Sequence, residues 1–306
     1  MREIVVVDHV TKIYPNGVRA NIDVSLRACS GEVVCVMGPN GAGKTTLIRQ
    51  VIGILKPTSG VVRVFGVDPV KHHDEVKKRI AYMPQLPLTY PAHKVIEVSK
   101  YVAELSNTPM ERVKEVLEAL DLWSSRDKLG YQLSIGQRKL LLLALALIKS
   151  GELLVLDEPT TFMDIFKKRL TWNALLEEKR RGVSMIIVSH DIEEARRLCD
   201  RVYVMVAGRV AGKLESLSNI SGGVEVKVYY SKPSEIAHLF KRGKVDVQDE
   251  LLVAKYNHLL DALEDLENLA VNGVNRDIRV LLEYPSVEYI VESLLRGEKY
   301  GFIYVS

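Results

Sequence analysis

Short apolar runs broken by turn residues open this chain. Glu3 to Val7 is one such run, Ile22-Asp23-Val24-Ser25-Leu26 alternates, and Val33 to Met37 is continuously apolar, as in a strand covered on both faces. Pro15-Asn16-Gly17 and Ser30-Gly31-Glu32 supply turns between them. Thr45 to Ile54 takes up helical spacing until Pro57-Thr58-Ser59-Gly60 breaks it. From about residue 86 to 150 helical spacing dominates. Within Met110 to Leu122, Val113, Val116, Leu117 and Leu120 stand at i, i+3, i+4 and i+7. Strand-type runs return at Leu153 to Leu156, Ser184 to Val188 and Arg201 to Val206, with helical stretches between. Alternating strand and helix predicts an α/β domain built on a mostly parallel sheet, with a helical insert near its middle.

Ser218 to Gly223 reads as a linker. After it the pattern predicts a strand (Val224 to Tyr230), a helix (Pro233 to Lys241), a hairpin (Lys244 to Lys255), a helix (His258 to Ala270), a strand (Asp277 to Glu283) and a helix (Ser286 to Leu295). The expected organisation is therefore a domain over 1–217, a linker over 218–223 and a small α+β domain over 224–306.

Composition narrows the function classes. Lys+Arg 42 against Asp+Glu 39 leaves a net charge of +3, without the concentrated basic face of a nucleic-acid binder, so no nucleic-acid partner is expected. Cys29, Cys35 and Cys199 are far apart and form no CxxC. That pattern excludes a disulfide scaffold or a zinc framework and favours a reducing compartment. The opening residues lack the pattern of a secretory leader. The longest apolar stretch, Leu140 to Ile148, is half of the about 18 residues a membrane span requires. A soluble, cytoplasmic chain is the expectation.

Three segments carry chemistry. Gly38 to Thr45 fits G-x-x-x-x-G-K-[ST] between a predicted strand and a predicted helix. Glycines there let backbone N–H groups turn inward on phosphate oxygens, and the helix adds its positive N-terminus. Lys44 is placed to bridge β- and γ-phosphates, and the Thr45 hydroxyl to hold Mg²⁺. Leu153 to Leu156 ends in Asp157 and Glu158. An Asp at the end of such a strand holds Mg²⁺ through water, and the Glu reaches an attacking water as general base. Leu133-Ser134-Ile135-Gly136-Gln137 opens the apolar helix as a second anion-binding device, one more than a single phosphate group needs. Standing alone, the same five residues would read as an N-cap before a core helix.

In that order, Gly38 to Thr45, Leu133 to Gln137 and Leu153 to Pro159 resemble the ATP-binding cassette (ABC) ATPases. Gln85 looks like the Q-loop glutamine, His190 like the switch histidine, Tyr14 like the adenine-stacking aromatic and Asp164 like the D-loop aspartate. Met alone, Gln85 would read as a polar loop residue, His190 as a strand-end histidine and Tyr14 as a hairpin aromatic. The resemblance implies a P-loop NTPase core of ABC type over residues 1–217, with an N-terminal antiparallel β-subdomain and a helical insert. It implies ATP and Mg²⁺ as ligands. ATP would be held by Tyr14, Gly38, Asn40, Gly41, Ala42, Gly43, Lys44, Thr45 and Thr46, and from a second cassette by Ser134, Gly136, Gln137 and Asp164. Mg²⁺ would be held by Thr45, Gln85 and Asp157, and catalysis assigned to Glu158, His190 and Gln85.

The sequence departs from the family pattern at three places. Ile135 and Phe162 stand where glycine is usual, and Leu140 and Leu145 take the places of two arginines. The last change leaves a helix that is either better buried or lines a partner contact. The resemblance further implies a head-to-tail cassette dimer under separately encoded membrane permease subunits, peripheral on the cytoplasmic face. The α+β tail and its Glu283 to Val291 segment, similar to the Pro-Ser-Leu-Glu-Asp-Val-Phe ending of ABC-2 cassettes, favour an exporter. An importer ATPase and an ATP-switched clamp without a membrane partner stay open. The resemblance also implies a groove for a permease helix around Leu86 to Glu104, where Leu86, Leu88, Tyr90 and Val95 are apolar, and ordinary packing of the insert onto the core accounts for these residues equally well.

Overall fold

The computed structural model describes residues 2–87, 90–214, 224–256, 259–271 and 279–283. Strands β1 (Glu3–Ile13), β2 (Arg19–Cys29) and β3 (Val33–Met37) lead into helix α1 (Lys44–Val51). Strand β4 (Ser59–Val64), helix α2 (His73–Arg79) and strand β5 (Ile80–Met83) follow. Helices α3 (Val95–Ser106), α4 (Met110–Ala119) and α5 (Ile135–Lys149) make the expected insert. Then come β6 (Leu153–Asp157), α6 (Ile165–Arg180), β7 (Ser184–Ser189), α7 (Ile192–Leu198), β8 (Arg201–Val206) and β9 (Arg209–Leu214). The strands β1 and β2 run 11 residues each, longer than their apolar runs, because Asp8, Thr11 and Lys12 occupy the less buried positions of the alternation.

Two sheets share one core. In the antiparallel sheet the order is β2-β1-β4, and in the larger sheet it is β5-β6-β7-β3-β8-β9. Strands β5, β6, β7, β3 and β8 are parallel, and β9 closes the edge antiparallel to β8. Every residue of β3, β6 and β7 is buried, which is why residues 33–37, 153–156 and 185–188 read as unbroken apolar runs. Helix α1 lies between the sheets: Leu47, Ile48 and Val51 pack in the same cluster as Val5, Val7 and Leu26 on one side and Val36, Val155 and Ile186 on the other. The parallel strands end together, so Gly38, Glu158 and His190 begin at one edge of the sheet.

The chain forms two compact units, with the division at about residue 217. In the second, β10 (Val224–Tyr229), α8 (Pro233–Ile236), β11 (Lys244–Gln248), β12 (Leu251–Tyr256), α9 (Leu259–Val271) and β13 (Arg279–Glu283) follow in β-α-β-β-α-β sequence. Their antiparallel order, β11-β12-β10-β13, is that of a ferredoxin-like split βαβ unit. Val226, Val228, Leu252, Ala254, Tyr256 and Ala262 give it a core of its own. The helix expected over Pro233 to Lys241 is shorter, passing into a 3-10 turn at Ala237–Leu239. The expected linker, Leu88 and the helix from Ser286 lie outside the described residues. Among the described residues, no helix is long and apolar enough to cross a membrane.

One expectation is corrected. Cys35 of β3 and Cys199 at the end of α7 are joined as a disulfide with Cα atoms 5.9 Å apart, although 164 positions separate them. A link between these two cysteines was not expected from their spacing.

Gly43 has φ +93°, and a Cβ there would lie 2.0 Å from the carbonyl oxygen of Ala20 on β2. A Cβ on Gly38 would lie 2.1 Å from the Met205 carbonyl oxygen. Gly43→Ala is therefore expected to cost about 2–3 kcal/mol of folding stability by strain and clash together. Urea unfolding of the variant measures this, and an unchanged midpoint would mean that the loop backs away from β2 freely.

Candidate functional site

The loop after β3 cannot take a regular form, because its glycines occupy positive φ and its neighbours are backbone. Asn21 and Gln50, both fully buried, brace it. Gln50 Nε2 donates to Asn21 Oδ1 at 2.7 Å, and Asn21 Nδ2 donates to the Gly43 carbonyl at 3.1 Å. The loop and the start of α1 line a cleft of about 520 Å³. Tyr14, Val18 and Arg19 border it on one side, and Gln85 and Glu158 on the other. The Tyr14 hydroxyl lies 3.2 Å from Thr46 Oγ1, which places the ring at the mouth of the cleft.

Lys44 is buried, its amine donating to the carbonyls of Gly38 at 2.7 Å and Pro39 at 2.9 Å. Burial lowers its pKa, against the pull of Glu158 and Asp157. Thr45 Oγ1 donates to Asp157 Oδ1 at 3.3 Å. Asp157 is fully buried, and its Oδ2 has no hydrogen-bond partner. Burial raises its pKa, only partly offset by Thr45. A buried, unshared carboxylate oxygen beside a threonine hydroxyl is a hard-oxygen pair open to a divalent cation, so the donors fit Mg²⁺.

Glu158 sits at φ +54°, a left-handed conformation rare for a residue with a Cβ and concentrated at functional sites. Its backbone N–H is pinned to the Val188 carbonyl at 2.8 Å. Its Oε2 accepts from Thr161 Oγ1 at 2.7 Å and lies 2.5 Å from His190 Nδ1. Burial pushes its pKa up, but the hydrogen bonds of His190 and Thr161 and the charge of Lys44 outweigh it, leaving the carboxylate below its ordinary range. His190 is raised in return, chiefly by the same hydrogen bond.

The other expected residues are not at this cleft. Ser134 caps α5, its Oγ accepting from the Gln137 N–H at 3.2 Å while Gln137 Oε1 accepts from the Ser134 N–H at 3.1 Å. Gly136 is buried against Lys167, and Asp164 caps α6 by accepting from the Lys167 N–H at 2.9 Å. None of Ser134, Gly136, Gln137 and Asp164 borders the cleft of its own chain. Exposed Ile135, Phe162, Ile165 and Phe166 lie beside them, and Phe162 holds the positive φ of +67° that glycine would take without strain. Leu140 is buried and Leu145 half-buried, so the two positions lacking arginine are packed into the protein. Near Gln85, Leu86 and Tyr90 are exposed, whereas Val95 is fully buried.

Two buried ionisable groups at the edge of the site went unnoticed in the sequence. Lys139 on α5 is fully buried, and its amine donates to the Gln85 carbonyl at 2.8 Å. Burial lowers its pKa to about 8, against the attraction of Asp157, Glu158 and Glu194. The available signal was a lone cation four residues before Leu143, on the apolar face of the helix. Glu194 on α7 is also fully buried, and neither carboxylate oxygen has a hydrogen-bond partner. Burial raises its pKa to about 7, with the charge of Asp191 adding to the rise and the polar groups of Ser189, Thr160 and Trp172, which face it without reaching hydrogen-bond geometry, opposing it.

The ABC transporter family model matches residues 22–161. A putative ABC transporter ATP-binding protein of Methanopyrus kandleri is 34% identical over 260 residues, covering 80% of this chain and 96% of that protein. The Nod factor export ATP-binding protein I of Cupriavidus metallidurans is 33% identical over 242 residues, 77% of this chain and 79% of that protein. Among solved structures, a dimeric post-hydrolysis state of the ATP-binding cassette MJ0796 bound to ADP and Pi superposes with a TM-score of 0.64 at 26% identity. That match covers 69% of this chain and 98% of that one. The cbiO1 protein of Clostridium perfringens, part of the ABC transporter complex cbiONQ, gives a TM-score of 0.62 at 29% identity, over 71% and 90% of the two chains.

The buried Glu194 makes stability depend on pH. Its pKa is raised from 4.5 to about 7 on folding, so the folded state holds a proton that the unfolded chain has released. Wild-type stability therefore falls as pH rises through this window and levels off above it. Relative to wild type, Glu194→Gln is expected to gain up to roughly 3 kcal/mol between the two limits and then stay constant. Denaturant titrations at several pH values measure the difference, and a pH-independent difference would mean that Glu194 ionises in the fold as easily as in the unfolded chain.

Proposed function

This chain belongs to the ABC transporter family as an ATP-binding and ATP-hydrolysing subunit, and from that premise we propose that it powers an exporter through a separate membrane permease. The observation that carries the site reading is the meeting of Lys44, the Thr45–Asp157 pair and the Glu158–His190 pair at one sheet edge. ATP lies in the cleft with its base against Tyr14 and its phosphates on the backbone N–H groups from Asn40 to Thr46. Gly38 and its Cβ-free approach to Met205 set the entry of that loop. Lys44 reaches the β- and γ-phosphates, exchanging two carbonyl contacts for charge-assisted ones.

Thr45, Asp157 and Gln85 are the residues that would hold Mg²⁺. A bound Mg²⁺ neutralises charge on the phosphate oxygens. Glu158, kept as a carboxylate, takes the proton of the attacking water as its oxygen bonds to the γ-phosphorus and the bond to ADP breaks. His190, already in contact with Glu158, orients toward the γ-phosphate.

Ser134, Gly136, Gln137 and Asp164 act on the ATP of a second cassette. Their position away from their own cleft supports this, as does the dimeric state of the similar MJ0796 structure. Hydrolysis then releases a dimer that ATP had held together, and that movement is passed to the permease on the cytoplasmic face of the membrane. Export is supported by the Nod factor export relatives and by a second unit of split βαβ form in place of a β-barrel module.

Three measurements test this reading. Glu158→Gln is expected to keep ATP affinity and dimerise while hydrolysis falls by about 10²–10⁴-fold, and unchanged turnover would remove Glu158 from the reaction. Lys44→Ala is expected to lose ATP binding in equilibrium titration, and retained affinity would contradict the phosphate assignment. Affinity purification from solubilised membranes is expected to bring a polytopic subunit with the chain. Its repeated absence would favour an ATP-switched clamp over a transporter.

A further inference from the structure

Among the described residues, two lysines are buried, Lys44 and Lys139, and both face the acidic end of the parallel sheet. Lys44 belongs to the phosphate loop. Lys139 belongs to α5, five residues after Ser134, or about 7.5 Å along the helix axis. It shares the inward face of α5 with Leu143 and Leu147, both buried. A cation on that face must find compensation, since an unpaired buried charge is among the costliest defects a fold can carry. Lys139 finds it in the Gln85 carbonyl, at 2.8 Å, and in the attraction of the acidic groups Asp157, Glu158 and Glu194 at the same edge.

Gln85 is exposed and lies past the end of β5. The hydrogen bond from Lys139 therefore joins the segment beyond β5 to the helix that starts at Ser134. We propose that Lys139 is a positioning residue for hydrolysis: it holds the Gln85 backbone so that the Gln85 side chain faces the cleft, and it ties that placement to the position of α5. When α5 shifts with the docking of a second cassette, Gln85 shifts with it. The same single side chain links the part of the chain offered to the neighbouring ATP with the part that completes its own site. This rests on the assignment of Gln85 to the reaction made above.

A double-mutant cycle on the purified full chain tests it, with Lys139→Met, Gln85→Ala and the pair together. Lys139→Met keeps the length and apolar stem of lysine and removes only the donor and charge. Steady-state hydrolysis, equilibrium ATP binding and thermal unfolding are read for each. Each single variant is expected to lose about 10–100-fold in kcat while ATP affinity stays within about twofold. The double variant is expected to be no slower than Gln85→Ala alone, because Lys139 acts through Gln85. A general weakening of the fold would instead multiply the two losses, and multiplied losses overturn the proposal. Wild-type kcat in a folded Lys139→Met, beside an impaired Gln85→Ala, overturns it while leaving Gln85 in the reaction. Full activity of Gln85→Ala removes both assignments. If the methionine variant does not fold, Lys139→Gln runs the same cycle with the same outcomes.

Discussion

Strands β3, β6 and β7 are buried along their whole length, so polar residues are confined to their ends. At their C-terminal ends stand Gly38, Asp157 and Ser189, followed by Glu158 and His190. Because the strands are parallel and in register, these positions fall beside one another without any one of them specifying the others. The reactive groups are gathered by the geometry of the sheet, and the helix α1 is aimed at the same point by packing between two sheets. Loss of that parallel register would scatter the site while leaving each motif intact in the sequence.

The same edge concentrates features that are unfavourable taken one at a time. Asp157 leaves an oxygen without a partner, Glu194 leaves two, and Glu158 is held at a positive φ. Lys44 and Lys139 are cations removed from water. Each lowers stability by an amount comparable to a sizeable share of the total for a domain. They persist because they offset one another electrostatically and because a continuous apolar core, reaching from Ile4 to Met205, holds the surrounding backbone. Such a site is ready for a ligand that brings phosphate oxygens and a cation, since these satisfy the groups that the fold leaves open.

Local reading of the chain recovered most of the elements. Continuous apolar runs were legible as β3, β6 and β7, since burial on both faces leaves no alternative composition. The capping pair Ser134–Gln137 announced the start of α5, because the two side chains satisfy each other's backbone N–H within one turn. Polar residues blurred the full length of β1 and β2. The helix predicted over Met110 to Leu122 ends at Ala119, although Leu120 and Leu122 remain fully buried, because the chain turns into a 3-10 segment while still facing the core.

What the sequence determined by itself is the chemistry: a phosphate loop between strand and helix, a carboxylate pair closing an apolar strand, and a second cap that has no use in its own cleft. These depend on residue type and on spacing within a few positions, which local backbone geometry translates directly. Only the tertiary structure decided which groups meet. Lys139 and Gln85 stand 54 positions apart, Thr45 and Asp157 stand 112 apart, and Cys35 and Cys199 stand 164 apart. The same holds for the strand order of the second unit, where β10 lies between β12 and β13. Pairings at such separations are set by how sheets stack and which faces they bury, and no local pattern carries that information.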